Sequence, residues 1–234
     1  MKLTAALLAS TSLLAGTALA DDSGFYAGAG AGWSQISLPE SEITNEISYE
    51  FDALGAPLTS WSARTDDSDI MWSVFVGYRF MKYLAVEAGY MDTGNASYKG
   101  SGTADITIVT DPGPPPITQV VSVPTTASFD WGATGWPVSV LGIWPIDENW
   151  EVFGRVGGFF GDVSGDLRVT VDTGVGKSHY SESSSEFLYG IGVDGKFMEN
   201  WAARFEWLAI PSLGNSSTGE ADWNGIQFSL LYRF

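Results

Sequence analysis

Apolar and polar residues alternate with a period of two over eight stretches of the sequence. The pattern is clearest in residues 225–234. There Ile226, Phe228, Leu230, Tyr232 and Phe234 alternate with Gly225, Gln227, Ser229, Leu231 and Arg233. Successive side chains of a strand point to opposite faces. One face of this segment is therefore apolar, and the other mixes glycine, polar and charged groups. The same alternation sets Phe25, Ala27, Ala29, Ala31 and Trp33 on one face of a first segment, and Trp72, Val74, Val76, Tyr78 and Phe80 on one face of a second. It recurs in residues 84–90, 136–144, 150–160, 187–197 and 201–207. Pro137 has no N–H to give a ladder, so a bulge or the end of regular pairing is expected there.

An alternating chain builds either a soluble sandwich or a membrane barrel, and two features favour the barrel. The connections at residues 81–83, 146–149 and 198–200 are short and alternate with much longer ones. Short periplasmic turns and long extracellular loops are the rule in outer-membrane barrels. Aromatic residues also mark both ends of the apolar faces. Phe25, Phe80, Trp144, Trp150, Phe197, Trp201 and Phe234 lie toward the short turns; Trp33, Trp72, Tyr90, Phe160, Phe187 and Trp207 lie toward the long loops. The expected fold is all-β: an eight-stranded antiparallel up-and-down transmembrane β-barrel. Within the long loops, residues 103–110 and 117–123 are β-branched runs around a Pro-rich turn and predict a hairpin extending past the membrane. Residues 167–171 with the stretch near Tyr180, and residues 46–51 with 58–64, are expected to pair similarly.

Composition narrows the picture. Lys2, an apolar run and the small-x-small Ala18-Leu19-Ala20 predict a signal peptide over residues 1–20, with the barrel domain at 21–234. The chain has no cysteine, so disulfides and thiolate metal sites are excluded. A net charge of −17 disfavours nucleic acid as a partner.

The segment Gly24-Phe25-Tyr26-Ala27-Gly28-Ala29-Gly30-Ala31-Gly32-Trp33 resembles the first strand of the OmpA-like transmembrane domain. Val76-Gly77-Tyr78-Arg79-Phe80 and Val86-Glu87-Ala88-Gly89-Tyr90 resemble its second and third strands, and Ser229-Leu230-Leu231-Tyr232-Arg233-Phe234 its closing strand. The resemblance implies that Phe234 is part of the signal read by the barrel-assembly machinery. It also implies that Glu87 and Arg155 occupy the place of a lumen ion pair proposed to gate a small conductance. The sequence stops at the barrel, so the peptidoglycan-binding domain of the family is not expected.

The inward positions hold the candidate chemistry. Eight strands enclose a lumen that side chains just fill. Glu87, Glu151, Asp194 and Glu206 face it with Arg79, Arg155, Arg204, Arg233 and Lys196. Unpaired buried charge is costly, so Glu87, Arg155, Arg79, Glu151, Arg204 and Glu206 are expected to form an ion-pair network, with inward glycines leaving room for these long side chains. His179, with Ser181, Glu182 and Glu186, shares residue types with the triad of an outer-membrane lipid A deacylase. Residues 38–69 are acidic, and Asp66-Asp67-Ser68-Asp69 is a weak candidate for a divalent cation. No catalytic residue, metal site or cofactor is expected.

The leading expectation is a non-enzymatic, monomeric barrel with a structural, envelope-integrity and surface-interaction role. Its partners would be outer-membrane lipid and lipopolysaccharide and, during biogenesis, the barrel-assembly machinery. The alternatives are a weak ion or small-solute channel gated at Glu87 and Arg155, and a lipid A-modifying hydrolase.

Overall fold

The computed structural model describes residues 23–38, 40–113, 115–215 and 219–234. The expected signal peptide lies outside the described residues. The elements are β1 (Gly24–Ser37), α1 (Glu40–Ala53), β2 (Leu58–Asp66), β3 (Ser68–Met81), β4 (Leu84–Asp111), β5 (Ile117–Pro145), β6 (Trp150–Val171), β7 (Gly174–Lys196), β8 (Trp201–Asn215) and β9 (Gly219–Arg233). The strands pair in the order β2-β4-β3-β1-β9-β8-β7-β6-β5, and a further β4–β5 pairing closes the ring. β2 hangs on the distal part of β4 outside that ring, so among the described residues eight of the nine strands form the barrel. Each of the pairings is antiparallel.

The period-two pattern maps directly onto the wall. Trp33, Val76, Trp136, Val156, Ile191 and Phe228 are exposed on the outside, while their chain neighbours turn into a closed lumen. A hydrocarbon environment accounts for this inverted arrangement: the apolar face meets lipid, and the backbone of the ring is paired from strand to strand, with a gap beside Pro137. Aromatic rings pack edge-on along the two rims. Tyr90 lies 5.3 Å from Trp136 at the loop end, and Trp201 lies 5.1 Å from Tyr232 at the turn end.

The strands do not stop at the membrane. β4 and β5 pair out to Asp111↔Ile117, and β6 and β7 out to Val171↔Gly174. The hairpins expected at 103–123 and 167–180 are therefore continuous with the wall. β2 (Leu58–Asp66) adds the expected strand at 58–64. Residues 46–51 correct the expectation, since they lie in α1 and not in a hairpin. Three features explain the helix. Glu40 and Glu42 place negative charge in its first turn. Ile43, Ile47 and Phe51 recur at helical spacing, and Phe51 is buried. Gly55 at φ 72° ends it in a Schellman motif, with Gly55 N–H donating to Asp52 O and Ala56 N–H to Phe51 O. α1 packs on the inward face of the extension, where Thr44 and Trp61 both meet the Tyr98 hydroxyl.

At Pro137 the expected interruption of pairing is present on one side, and the alternative, a bulge, is not. β5 runs through it with Pro137 opposite Phe159 of β6. Toward β4 the pairs pass from Ala88↔Val138 to Met91↔Gly135 in unchanged register. The missing N–H is absorbed as a gap on one side of the strand and not as a bulge. The register shift falls instead between Asp92 and Asn95, around Gly94 at φ 75°.

Candidate functional site

The lumen is filled in layers. At the turn end, Arg79 on β3 donates from Nη1 to both oxygens of Glu151 on β6, at 3.0 and 2.9 Å. Its Nη2 reaches Lys82 O at 2.6 Å. Arg233 on β9 donates to Glu151 Oε1 at 2.5 Å and lies 3.8 Å from Asp194 Oδ2 on β7. Arg79, Glu151, Asp194, Lys196, Asn200 and Arg233 are among the residues lining a cup of about 200 Å³, whose walls also include Tyr26 and Arg204.

The next layer is a cluster of five charged groups. Arg204 on β8 grips Asp194 with a two-pronged contact, Nε–Oδ1 at 2.7 Å and Nη2–Oδ2 at 2.8 Å. Its Nη1 donates to Glu87 Oε1 on β4 at 2.6 Å. β4 and β8 lie on opposite sides of the ring, so this contact is a strut across the lumen. Arg155 on β6 bonds the second oxygen of Glu87, and the Tyr26 hydroxyl on β1 donates to Glu87 Oε1 at 2.7 Å. Glu87 thus collects three donors from three strands. Arg155 Nε stands 2.6 Å from Glu206 Oε1, yet neither atom makes an aligned hydrogen bond. That contact is an ion pair by distance alone. The Arg204 guanidinium is flanked by the rings of Phe153, 4.4 Å from centroid to Cζ, and Phe75, 5.4 Å away. Two π faces replace part of the water that the cation gave up.

Above the charges, Gln227 Nε2 donates to Ser73 Oγ and Ser229 Oγ. The loop-side part of the lumen then turns apolar. Met71, Trp131, Phe159, Leu208, Ile210 and Trp223 pack in one buried cluster. Trp223 brings its polar atom with a partner, donating Nε1–H to Thr93 O at 3.0 Å.

The six lumen residues named from sequence divide between these two charged layers. Arg79 and Glu151 belong to the turn-end layer; Glu87, Arg155, Arg204 and Glu206 belong to the five-group cluster. Sequence reasoning gave no role to Tyr26, to the rings beside Arg204 or to the apolar layer. The signal for the last was present in the inward Met71, Phe159 and Leu208. Three of the inward glycines, Gly28, Gly77 and Gly192, make room for rings, and others lie close to the neighbouring strand's backbone. A Cβ on Gly28 would lie 2.5 Å from the Phe75 ring, and one on Gly77 would lie 2.2 Å from the Tyr26 ring. Phe234 is exposed at the turn-end rim, with its N–H bonded to Phe25 O.

The other candidates lie apart from the charged layers, with Glu186 on β7 opposite the inward Phe159. His179 Nδ1 contacts Asp166 Oδ1 at 2.9 Å across the β6–β7 ladder, whereas Ser181 stands opposite Ser164. Ser184 Oγ donates to Glu186 Oε1 at 2.6 Å. Asp67 accepts from Gln35, and Asp69 accepts from the backbone N–H groups of Ile70 and Asn95. Among the described residues, no three His, Cys, Asp or Glu side chains converge to hold a metal ion.

Outer membrane protein A of Yersinia pseudotuberculosis serotype I (strain IP32953) is 26% identical over 215 residues, covering 91% of this chain and 49% of the relative. Outer membrane protein A of Klebsiella pneumoniae is 25% identical over 217 residues, covering 91% and 52%. The chain therefore spans about half the length of these relatives. Among solved structures, neisserial surface protein A aligns with a TM-score of 0.47 at 13% identity, over 90% of this chain and 97% of its own. The attachment invasion locus protein Ail of Yersinia pestis gives 0.40 at 12%, over 90% and 99%. The model of the OmpA-like transmembrane domain matches residues 20–234. With its closed antiparallel ring and lipid-facing apolar wall, the chain belongs to the OmpA-like transmembrane domain family and is a barrel of the bacterial outer membrane.

Proposed function

We propose that the protein is a structural, non-enzymatic element of the outer membrane, a monomeric barrel closed to ion flow that carries ordered sheet extensions beyond the bilayer. One observation carries this reading: the lumen is obstructed twice. The Glu87 strut fills the polar layer, and the packed layer of Met71, Trp131, Phe159 and Trp223 lies above it. Breaking the first obstruction leaves the second, where buried apolar side chains offer water few polar partners. A non-enzymatic role is supported by the match of residues 20–234 to the OmpA-like transmembrane domain. Lipid and lipopolysaccharide around the wall, and the assembly machinery that reads Phe234, are the partners this reading implies.

Single-channel recording in planar bilayers tests it. Wild type, Glu87→Ala and Arg155→Ala are all expected to give the baseline of a protein-free membrane. Discrete openings in wild type that change in either variant would overturn the closed-barrel reading and replace it with a gated channel.

A further inference from the structure

The chain has 11 Lys and Arg residues against 28 Asp and Glu. Lys2 lies outside the described residues. Arg79, Lys82, Arg155, Lys196, Arg204 and Arg233 sit in the lumen or at the turn end. The remaining four, Arg64, Lys99, Arg168 and Lys177, are the cations of the extracellular extension, and they fall in one line. Arg64 stands opposite Lys99, Lys99 opposite Ser128, Ser128 opposite Arg168, and Arg168 opposite Lys177. Directly opposed residues of an antiparallel ladder share a face. The four cations therefore form a transverse row over five adjacent strands, β2, β4, β5, β6 and β7.

That face is the outward one. Ser128 and Arg168 have the strand parity of the exposed Trp136 and Phe160. All four cations are exposed, and among the described residues none lies within ion-pair distance of a carboxylate. The row is eight residues beyond Trp136 along β5, which for a strand tilted by about 40° is roughly 20 Å above the loop-side aromatic girdle. Its side chains point sideways, toward whatever surrounds the barrel at that height.

The neighbouring rows define the ligand further. Beyond the cations, Ser62, Ser101, Thr126 and Thr170 form a row of hydroxyls on the same face. On the membrane side, Asp66, Asp130 and Asp166 form an acidic row that ends at His179. The order from the membrane outward is thus anionic, cationic, then hydroxyl. Two cation pairs, Arg64 with Lys99 and Arg168 with Lys177, are directly opposed, an arrangement that destabilises a bare ladder. A multivalent anion lying along the row relieves both repulsions at once.

We propose that this row is a lateral binding surface for the phosphorylated core saccharides of the surrounding lipopolysaccharide. The cations take the phosphates and the Ser/Thr row takes sugar hydroxyls. The acidic row keeps the phosphates of the lipid anchor from competing for the same cations. The proposal rests on the reading that lipopolysaccharide surrounds the wall, and is independent of whether the lumen conducts.

The test uses the folded full chain in detergent micelles, titrated with three ligands: lipopolysaccharide with a phosphorylated core, the same material with its core phosphates removed, and lipid A without core. Substituting Arg64→Ser, Lys99→Ser, Arg168→Ser and Lys177→Ser together is expected to weaken binding of the phosphorylated core about thirtyfold, four exposed contacts each contributing roughly a factor of two to three. Lipid A binding is expected to stay the same. Removing core phosphates is expected to weaken binding to the wild-type protein by a similar factor, a readout that does not depend on the variant folding. Equal binding of phosphorylated and dephosphorylated cores by wild type would overturn the proposal. So would an equal loss of lipid A binding in the variant.

Discussion

Two acids face Arg155, and their removal is expected to have opposite consequences. Glu87 accepts from Tyr26, Arg204 and Arg155 and is 3% exposed. Glu206 is 1% exposed, and its Oε1 accepts no aligned hydrogen bond. The cluster that contains both has three acids, Glu87, Asp194 and Glu206, against Arg155 and Arg204, so it holds one formal negative charge in excess, offset only at its edge by Arg233, 3.8 Å from Asp194. In Glu87→Gln the amide oxygen can serve only one side of the group, so the amide nitrogen meets either Arg155 or Arg204 donor against donor, and the negative charge that holds both guanidinium groups is lost. Removing one partner of a buried, hydrogen-bonded ion pair costs about 3–5 kcal/mol. In Glu206→Gln the amide oxygen still faces Arg155 Nε, and the surplus charge disappears. The desolvation cost saved is of the same order as the attraction lost, which places this variant within about 1 kcal/mol of wild type. Urea unfolding of the folded barrel in lipid vesicles, followed by tryptophan fluorescence, measures both. The midpoint should fall in Glu87→Gln with an unchanged slope and stay near wild type in Glu206→Gln. If Glu206→Gln is destabilised as much as Glu87→Gln, the surplus-charge reasoning is wrong and Glu206 is an anchor of equal standing.

Two further outcomes follow from the wall and its rim. Gly77→Val places a Cβ in the Tyr26 ring, whose hydroxyl holds Glu87; the expected cost is about 1–3 kcal/mol in the same unfolding assay, and a wild-type midpoint would show that the ring moves freely. Phe234→Ala removes a ring that is 77% exposed and packs 5.0 Å from Tyr232. It should change the stability of the refolded barrel by less than about 1 kcal/mol, yet lower the heat-modifiable, folded fraction recovered from cell envelopes. Equal recovery would remove the assembly role of Phe234.

The barrel was legible because lipid imposes one rule on every strand. A residue that meets hydrocarbon must be apolar, and strand geometry repeats that demand every second position. Inward residues obey a looser rule. Glu87, Arg155, Arg204 and Glu206 could be assigned to the lumen, but not paired. Glu87 meets Arg204 across the diameter, 117 positions away in the chain, and no local pattern reports which strands stand opposite. α1 was missed for a different reason. Its apolar positions, Ile43, Ile47 and Phe51, are spaced for a helix, but few residues separate them from the β-branched positions that suggest a strand.

The cation row marks the limit most clearly, because periodicity is blind to even-numbered slips of register. If β6 slid by two residues against β5, every side chain would keep its face, and lipid would still meet apolar groups. Ser128 would then stand opposite Asp166 and not Arg168, breaking the row between β5 and β6. Two constraints that periodicity does not contain remove that freedom. The connection at 146–149 closes with Ile146 N–H and Asp147 N–H both donating to Trp150 O, and a turn of set length fixes the pairing of the strands it joins. The girdle adds the second constraint, since Trp136 and Phe160 are paired and must both reach the same interfacial level. Register set at the turn and at the membrane is then carried without a shift along β5, β6 and β7 into the extension, which aligns Ser128, Arg168 and Lys177. Lys99 joins that line only through the one-residue shift around Gly94 in β4, and Arg64 through the separate β2 ladder, so the row depends on a bulge as well as on the wall.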